Sequence, residues 1–321
     1  MIRLAQIGCG YWGPNLLRNF QENPGCEVVA VADPSSQRRA KIQVLYPGLQ
    51  LLETPDTLFA SPGIDAFVIA APARFHHPLA IAAITAGKDV LVEKPLALNT
   101  TDGKELLVLA KEHGRILMVG HILEYHPAIL KIRELVDTGE LGTLQHIRST
   151  RLNLGKIRHE ENVLWSFAPH DIAIIQRLAG STPVNIQVTS QTYLQKGIPD
   201  TVHADLQFAG NLHAHLHVSW HEPAKEQKLT VIGSKAMCTY DDVSKQLLLY
   251  RHSIDLSSIP PAPEKAQPEE VPFEPVEPLA EECQAFLSAV QTRKAPLTDG
   301  TSALEVLHTL EAIQTQISQQ S

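Results

Sequence analysis

Apolar and polar positions change rhythm along this chain. In residues 1–120, short and nearly continuous apolar runs alternate with stretches whose apolar residues recur every three or four positions. The runs Arg3–Gly8, Glu27–Asp33, Asp65–Ala71, Asp89–Glu93 and Arg115–Val119 read as strands buried on both faces, "AFVIAA" most clearly. Helical patterns lie between them at Pro14–Glu22, Ser36–Leu45, His77–Ala86 and Thr101–His113. Gly87 and Gly114 follow two of these helices, where a left-handed cap residue is expected. Strands alternating with helices predict a doubly wound parallel sheet.

Beyond residue 121 the rhythm differs. A helix near Pro127–Asp137 precedes a long strand pattern at Leu144–Leu154 and a helix at Asp171–Leu178. Four or five strand-like segments follow between Val184 and Tyr250, which predicts a mainly antiparallel open sheet. Residues 258–278 are rich in proline and glutamate and read as a surface connection without regular ladder or helix. Helical patterns at Leu279–Gln291 and Ser302–Ser318 close the chain. The expected organisation is an α/β chain: a dinucleotide-type domain over 1–121 and a second α/β domain over 122–321.

Composition narrows the function classes. The 321 residues are 44% hydrophobic and 19% charged, which suits packed domains. A formal net charge of −8 argues against a nucleic-acid partner. The four cysteines, at 9, 26, 238 and 283, form no C-x-x-C pair, so neither a zinc ribbon nor a disulfide framework is expected, and the cytoplasm is the expected location. No run approaches the about 18 apolar residues of a membrane span, and the first residues lack a signal-peptide pattern.

Chemistry begins at "GCGYWG", a G-x-G-x-x-G that follows a predicted strand and opens a predicted helix. Gly8 would permit the tight turn, Gly10 the approach of a pyrophosphate, and Gly13 close helix–strand packing. Pro14 needs no N–H at the first helical position, and the free N–H groups around it favour an anion. Asp33 ends the next strand, 20 residues after Gly13, where a carboxylate accepts hydrogen bonds from the adenine ribose. A carboxylate there repels a 2′-phosphate, which favours NAD over NADP, although Arg38 and Arg39 keep NADP open. Glu93-Lys94-Pro95 ends another parallel strand, the edge at which such sheets bind ligands. Lys94 there could relay a substrate hydroxyl's proton; without that context it would read as a solvated surface lysine.

"GCGYWG", Asp33, "APARFHH", "AGKDVLVEKPLAL", "GHILEYHPA" and "APHD" occur in an order that resembles the Gfo/Idh/MocA family, over essentially the whole chain. The resemblance implies an N-terminal Rossmann domain, a C-terminal α/β domain with an open sheet, and NAD(P)-linked oxidation or reduction at a sugar or cyclitol carbon. It makes Lys94 the active-site lysine and His170 its catalytic partner. It also implies cofactor contacts by Gly8, Gly10, Tyr11, Trp12, Gly13, Asp33, Pro72, His76, Glu93 and Lys94. Many relatives carry an aspartate four residues before this histidine; here that residue is Ser166, which cannot act as a base at neutral pH. The base role then falls to His170, with Lys94 assisting. The competing reading of His170 is a buried histidine satisfied by the backbone.

"TRLNLGKIRHEENVLW" supplies Arg151, Asn153, Lys156 and Arg158 and resembles a subgroup acting on nucleotide-linked amino sugars, including UDP-N-acetylglucosamine 3-dehydrogenases. Arginines suit a diphosphate, yet the segment reads equally well as a solvated loop. Tyr125 and His126 could line the cleft, or cap a helix and pack the core. His213, His215 and His217 alternate along one strand and share a face. No carboxylate or cysteine of clear spacing accompanies them, so subunit packing is the preferred reading over a metal site. The combined expectation is an NAD-dependent dehydrogenase of C3 of UDP-N-acetylglucosamine, working as a homo-dimer or homo-tetramer and feeding an aminotransferase. The alternatives are an inositol or free-sugar dehydrogenase, a ketosugar reductase, and a non-catalytic dinucleotide sensor, which would be expected to lack Lys94 or His170.

Overall fold

A computed structural model describes residues 1–159 and 161–320. In chain order the elements are β1 (Ile2–Ile7), α1 (Gly13–Glu22), β2 (Cys26–Ala32), α2 (Ser36–Leu45), β3 (Gln50–Leu52), α3 (Asp56–Phe59), β4 (Ala66–Ile69), α4 (His76–Thr85), β5 (Asp89–Glu93), α5 (Thr100–Glu112) and β6 (Leu117–Gly120). Then come α6 (Pro127–Asp137), β7 (Leu144–Leu154), α7 (Val163–Ala179), β8 (Asn185–Gln191), β9 (Thr201–Gln207), β10 (His213–Ser219), β11 (His221–Gly233), β12 (Met237–Asp241) and β13 (Gln246–Tyr250). The last are β14 (Ser253–Asp255), β15 (Ala262–Glu264), β16 (Glu269–Glu270), α8 (Pro278–Thr292) and α9 (Gly300–Gln320).

The chain forms two compact units. The first holds Met1–Tyr125 and Val276–His308; the second holds His126–Pro275 and the chain from Thr309 on. The sequence-based division at 121/122 leaves residues 276–308 with the second domain, whereas the compact units join them to the first. The physical reason is a shared core: Leu279, Cys283, Phe286 and Leu287 of α8 pack with Leu16, Leu17 and Phe20 of α1, and Phe20 meets Phe286 edge-on.

The first unit is built on six parallel strands in the order β3-β2-β1-β4-β5-β6. Strand order reverses between β1 and β4, which opens a ligand-binding crevice at the carboxyl ends. β4 is buried at every position, as its unbroken apolar run requires. The second unit carries eight strands in the order β16-β13-β12-β11-β7-β10-β9-β8. Only β10–β7 is parallel among these pairs, so the sheet is mixed and mostly antiparallel.

Two expectations need correction. The helix expected at Asp171–Leu178 begins eight residues earlier, at Val163. The Asn162 side chain caps it, accepting from the Trp165 N–H at 3.3 Å, and Pro169 lies inside it instead of breaking it. The proline-rich stretch is not free of ladder: β15 pairs with β14, and β16 with β13. These are exposed strands of two or three residues, short enough for proline to be tolerated.

Asp89, 3% exposed at the start of β5, accepts from both terminal nitrogens of Arg293 at 2.6 and 3.0 Å and from the Ile116 N–H. Removing the guanidinium leaves an enclosed carboxylate short of partners. Arg293→Ala is expected to lower stability by about 1–3 kcal/mol, read as a reduced midpoint in urea with an unchanged slope.

Candidate functional site

The carboxyl edge of the parallel sheet gathers the expected cofactor residues of the first unit. β1 runs into the glycine turn, β2 into Asp33, β4 into Pro72 and β5 into Glu93-Lys94. Gly8 has φ +94° and lies against β4's exit: a Cβ there would come 2.5 Å from the Ala70 carbonyl oxygen. A Cβ on Gly13 would come 2.5 Å from the Gly8 oxygen. Only a side chain of hydrogen fits either place. At Gly10 the nearest atom to a Cβ is the Arg38 guanidinium, 3.9 Å away, so its main chain is open to a ligand. This cradle of bare backbone fits a dinucleotide diphosphate.

Gln6 holds the turn, and the sequence reading missed it. Its amide is 2% exposed and donates to the carbonyls of Gly8 and Gly13, each at 2.9 Å. The available signal was a polar residue inside the apolar run of β1. Asp33 is 1% exposed, and its carboxylate accepts the N–H groups of Cys9 at 2.7 Å and Ser35 at 2.8 Å. Arg38 stands 3.5 Å from it, and Arg39 donates to its backbone oxygen. Asp33 thus braces the glycine turn at the position where a ribose would lie. Burial first, and then Asp33, push the Cys9 thiol up to about 12, so it is an inert wall of the turn.

Glu93 and Lys94 close the same edge, followed by the cis bond Lys94–Pro95. Burial pushes the Glu93 carboxyl up to about 7, against the charge of Lys94, the Lys94 N–H and the Trp12 indole, which all favour its ionised form. The Lys94 N–H reaches it at 3.2 Å. His76 sits beneath, 1% exposed, its ring nitrogens 2.7 Å from the Pro95 carbonyl and 2.8 Å from the Ala71 carbonyl. Burial is the largest influence and holds its pKa below the ordinary value, although both carbonyls pull the other way. His76 therefore clamps the exits of β4 and β5 together. Tyr11 and Pro72 are exposed, and Trp12 precedes the first turn of α1. Tyr125 is buried, its hydroxyl 3.1 Å from the Thr298 hydroxyl.

In the second unit, His170 lies in the middle of α7 rather than at a helix start, half-buried and directly after Pro169. Ser166 is one turn earlier on the same side and is buried. Asp171 is not a helix-start residue either. It is 2% exposed and accepts from the Ser149 hydroxyl at 2.7 Å and from Arg151 Nε and Nη2 at 2.6 and 3.1 Å. Gln227, with its amide oxygen towards Arg151, accepts from Nη1 at 3.2 Å and donates to Asp242 at 2.7 Å. All three nitrogens of Arg151 are therefore engaged by the protein. Burial works against its charge, but Asp171 outweighs that and raises its pKa. Tyr240 donates to Asp242 at 2.9 Å and lies 3.1 Å from His126 Nε2, while His126 Nδ1 caps α6. Asn153 is half-buried near the end of β7, and Arg158 is exposed and paired with Glu161 at 3.1 Å. The alternating histidines share one face of the sheet: His217 stacks on His203 at 3.9 Å, and His215 pairs with Asp205.

The model of an oxidoreductase family with an NAD-binding Rossmann fold matches residues 2–121, and that of the GFO/IDH/MocA C-terminal domain matches residues 129–239. The chain belongs to the Gfo/Idh/MocA oxidoreductase family. The membership makes it an NAD-binding oxidoreductase. Among curated Gfo/Idh/MocA-like proteins, it is 28% identical over 255 residues to the 2,7-anhydro-N-acetylneuraminate hydratase of Mediterraneibacter gnavus, covering 74% of this chain and 66% of that one. It is 27% identical over 191 residues to the inositol 2-dehydrogenase of Corynebacterium glutamicum, covering 58% and 57%. The chain thus spans between half and two thirds of the length of these relatives. The fold matches that of UDP-N-acetylglucosamine 3-dehydrogenase GnnA from Acidithiobacillus ferrooxidans with a TM-score of 0.86 and 22% identity, covering 98% and 97% of the two chains. Among the described residues, no helix is long and apolar enough to cross a membrane.

The cradle yields a direct test. Gly8→Ala puts a methyl group on the Ala70 carbonyl and should weaken NAD binding at least about tenfold, a loss of about 1.4 kcal/mol. Titration calorimetry checks it, with circular dichroism confirming that the fold is retained.

Proposed function

We propose that this protein is a dehydrogenase that oxidises a sugar hydroxyl to a ketone with NAD, C3 of UDP-N-acetylglucosamine being the favoured position. The observation that carries the reading is Lys94 at the end of β5, on the same strand edge as the Gly8–Gly13 turn. NAD supplies the acceptor for the hydride that leaves the substrate carbon. The chain's own work is binding, alignment and proton handling.

The open backbone at Gly10 and the start of α1 bind the diphosphate, and Asp33 braces the turn beside the ribose position. Tyr11, Trp12 and Pro72 border this edge, with His76 and Glu93 fixing the Lys94 turn. Lys94 hydrogen-bonds the substrate hydroxyl and takes part in removing its proton. His170 is the principal base: an imidazole titrates near neutrality, which the Ser166 hydroxyl does not. Substrate contacts are assigned to Arg151, Asn153, Arg158 and His170, with Arg151 acting from within its Asp171 pair; Tyr125, packed in the core and bonded to Thr298, serves packing and not the substrate.

The nucleotide-sugar choice is supported by Lys156 and Arg158 in the loop after β7 and by the likeness of fold to GnnA, a UDP-N-acetylglucosamine 3-dehydrogenase. A 3-keto sugar is reactive, and an aminotransferase is the class of enzyme that would consume it. A cytoplasmic homo-dimer or homo-tetramer belongs to the same proposal. One observation favours a second reading, oxidation of a free sugar or inositol: the nitrogens of Arg151 are already committed to Asp171 and Gln227.

Reduced-nicotinamide absorbance with NAD and a panel of UDP-sugars and polyols separates the readings. Signal with UDP-N-acetylglucosamine is expected; signal with myo-inositol and none with any UDP-sugar overturns the substrate choice. Lys94→Ala should lower turnover by about 100-fold or more and change NAD affinity by less than about threefold. Unchanged turnover removes Lys94 from the chemistry.

A further inference from the structure

Behind the Lys94 turn, the first unit encloses more carboxyl groups than its neighbouring cations can balance. Glu282 of α8 has no accessible surface, and neither of its carboxyl oxygens has a hydrogen-bond partner among the described residues. α8 packs on the short 3-10 turn Ile122–Tyr125, which carries Glu124, itself 3% exposed. Glu93 reaches the same region from β5: its carboxyl covers Gly120, where a Cβ would come 3.0 Å from Oε2. Glu93 and Glu124 both act on Glu282 and disfavour its charge, on top of the cost of burial.

A cost of this kind must be met by a cation or by a proton. Among the described residues, no lysine or arginine is paired with Glu282. A metal ion would need converging donors, and the one group of three ligand atoms lying within 4.8 Å of one another among the described residues is His77, Asp102 and Glu105, which does not include Glu282. A proton remains.

We propose that Glu282 is a neutral carboxylic acid at neutral pH, a positioning residue that leaves Glu93 as the one ionisable carboxyl held against Lys94. The role rests on the reading of Lys94 as the residue that handles the substrate's proton. With Glu282 neutral, the ammonium of Lys94 is not held in its charged form by a second buried carboxylate. The other titratable groups around Glu282 are Tyr125, His121 beside Glu124, and Cys283 on its own helix; Cys283 is in turn faced by Cys26 at the start of β2 and by Glu277, which pairs with Arg18 at the start of α8. None supplies a positive charge that reaches the Glu282 carboxyl in the way Lys94 reaches Glu93.

The sign of the pH effect follows. The folded form keeps a proton that the unfolded chain gives up in the ordinary carboxylate range, so Glu282 costs stability increasingly as pH rises above that range. Glu282→Gln preserves size and neutrality and removes the titration; Glu282→Leu does the same without an amide to satisfy, should the first variant fail to fold. Infrared spectroscopy at neutral pH should show a protonated-carboxyl carbonyl band in the wild type that either variant loses. In the glutamine variant the alkaline limb of turnover, where Lys94 loses its proton, should move down by about one pH unit, because no second carboxylate forms behind Lys94 to hold the ammonium. An unchanged infrared band would overturn the neutral acid. A lost band with superimposable pH–rate profiles would overturn the positioning role. The infrared arm needs no substrate, so a failure to find turnover with any sugar would count against the proposed function and leave this result intact.

Discussion

The first unit depends on a turn that admits no side chain. Between β1 and α1 the backbone runs so close to the exit of β4, and to itself, that a Cβ at Gly8 or Gly13 would press into a carbonyl at 2.5 Å. The turn runs into the start of α1, where a helix N-terminus favours negative charge. The turn does not stand by itself. The Gln6 amide ties its two glycine carbonyls together from below, and the Asp33 carboxylate ties Cys9 to Ser35 from the side. An anion site is thereby built before any ligand arrives, which is what binding without large ordering costs requires.

The same economy of rigid parts sets Lys94. It follows a strand buried from Asp89 to Val92, and its turn is clamped by His76 and faced by Glu93. In the second unit a comparable arrangement surrounds His170. Asp171, its neighbour in sequence, is locked to Ser149 and Arg151 of β7, and a chain of polar contacts continues through Gln227 and Asp242 to Tyr240 and His126. Lys94 and His170, to which the proposed function gives the proton, thus each adjoin a hydrogen-bonded acid, Glu93 and Asp171 respectively. Proton transfer depends on donor and acceptor positions at the level of tenths of an ångström, so such bracing is part of the function.

Much of this could be read from the sequence, for definite reasons. Parallel strands buried on both faces leave continuous apolar runs, so the sheet order's raw material was visible, and the glycines at 8, 10 and 13 marked the turn because no other residue fits there. What escaped was non-periodic or non-local. Gln6 is one polar residue in an apolar strand, with no pattern around it. The true start of α7 was hidden by Pro169, which suggests a break that capping by Asn162 and burial of the helix override. The Arg151–Asp171 pair joins residues 20 apart on different elements, and nothing local announces it. Glu282 did leave a signal: it falls on the apolar stripe of α8, three residues after Leu279 and four before Phe286. A charged residue on a buried stripe is a reason to look for a proton or a partner.

The central claim is a dinucleotide held at the carboxyl edge of the six-stranded sheet. Titration calorimetry of the cofactor-stripped full chain measures it without knowledge of the substrate. Saturable heat with NAD at one site per chain is the predicted result; no heat with either pyridine dinucleotide would contradict it.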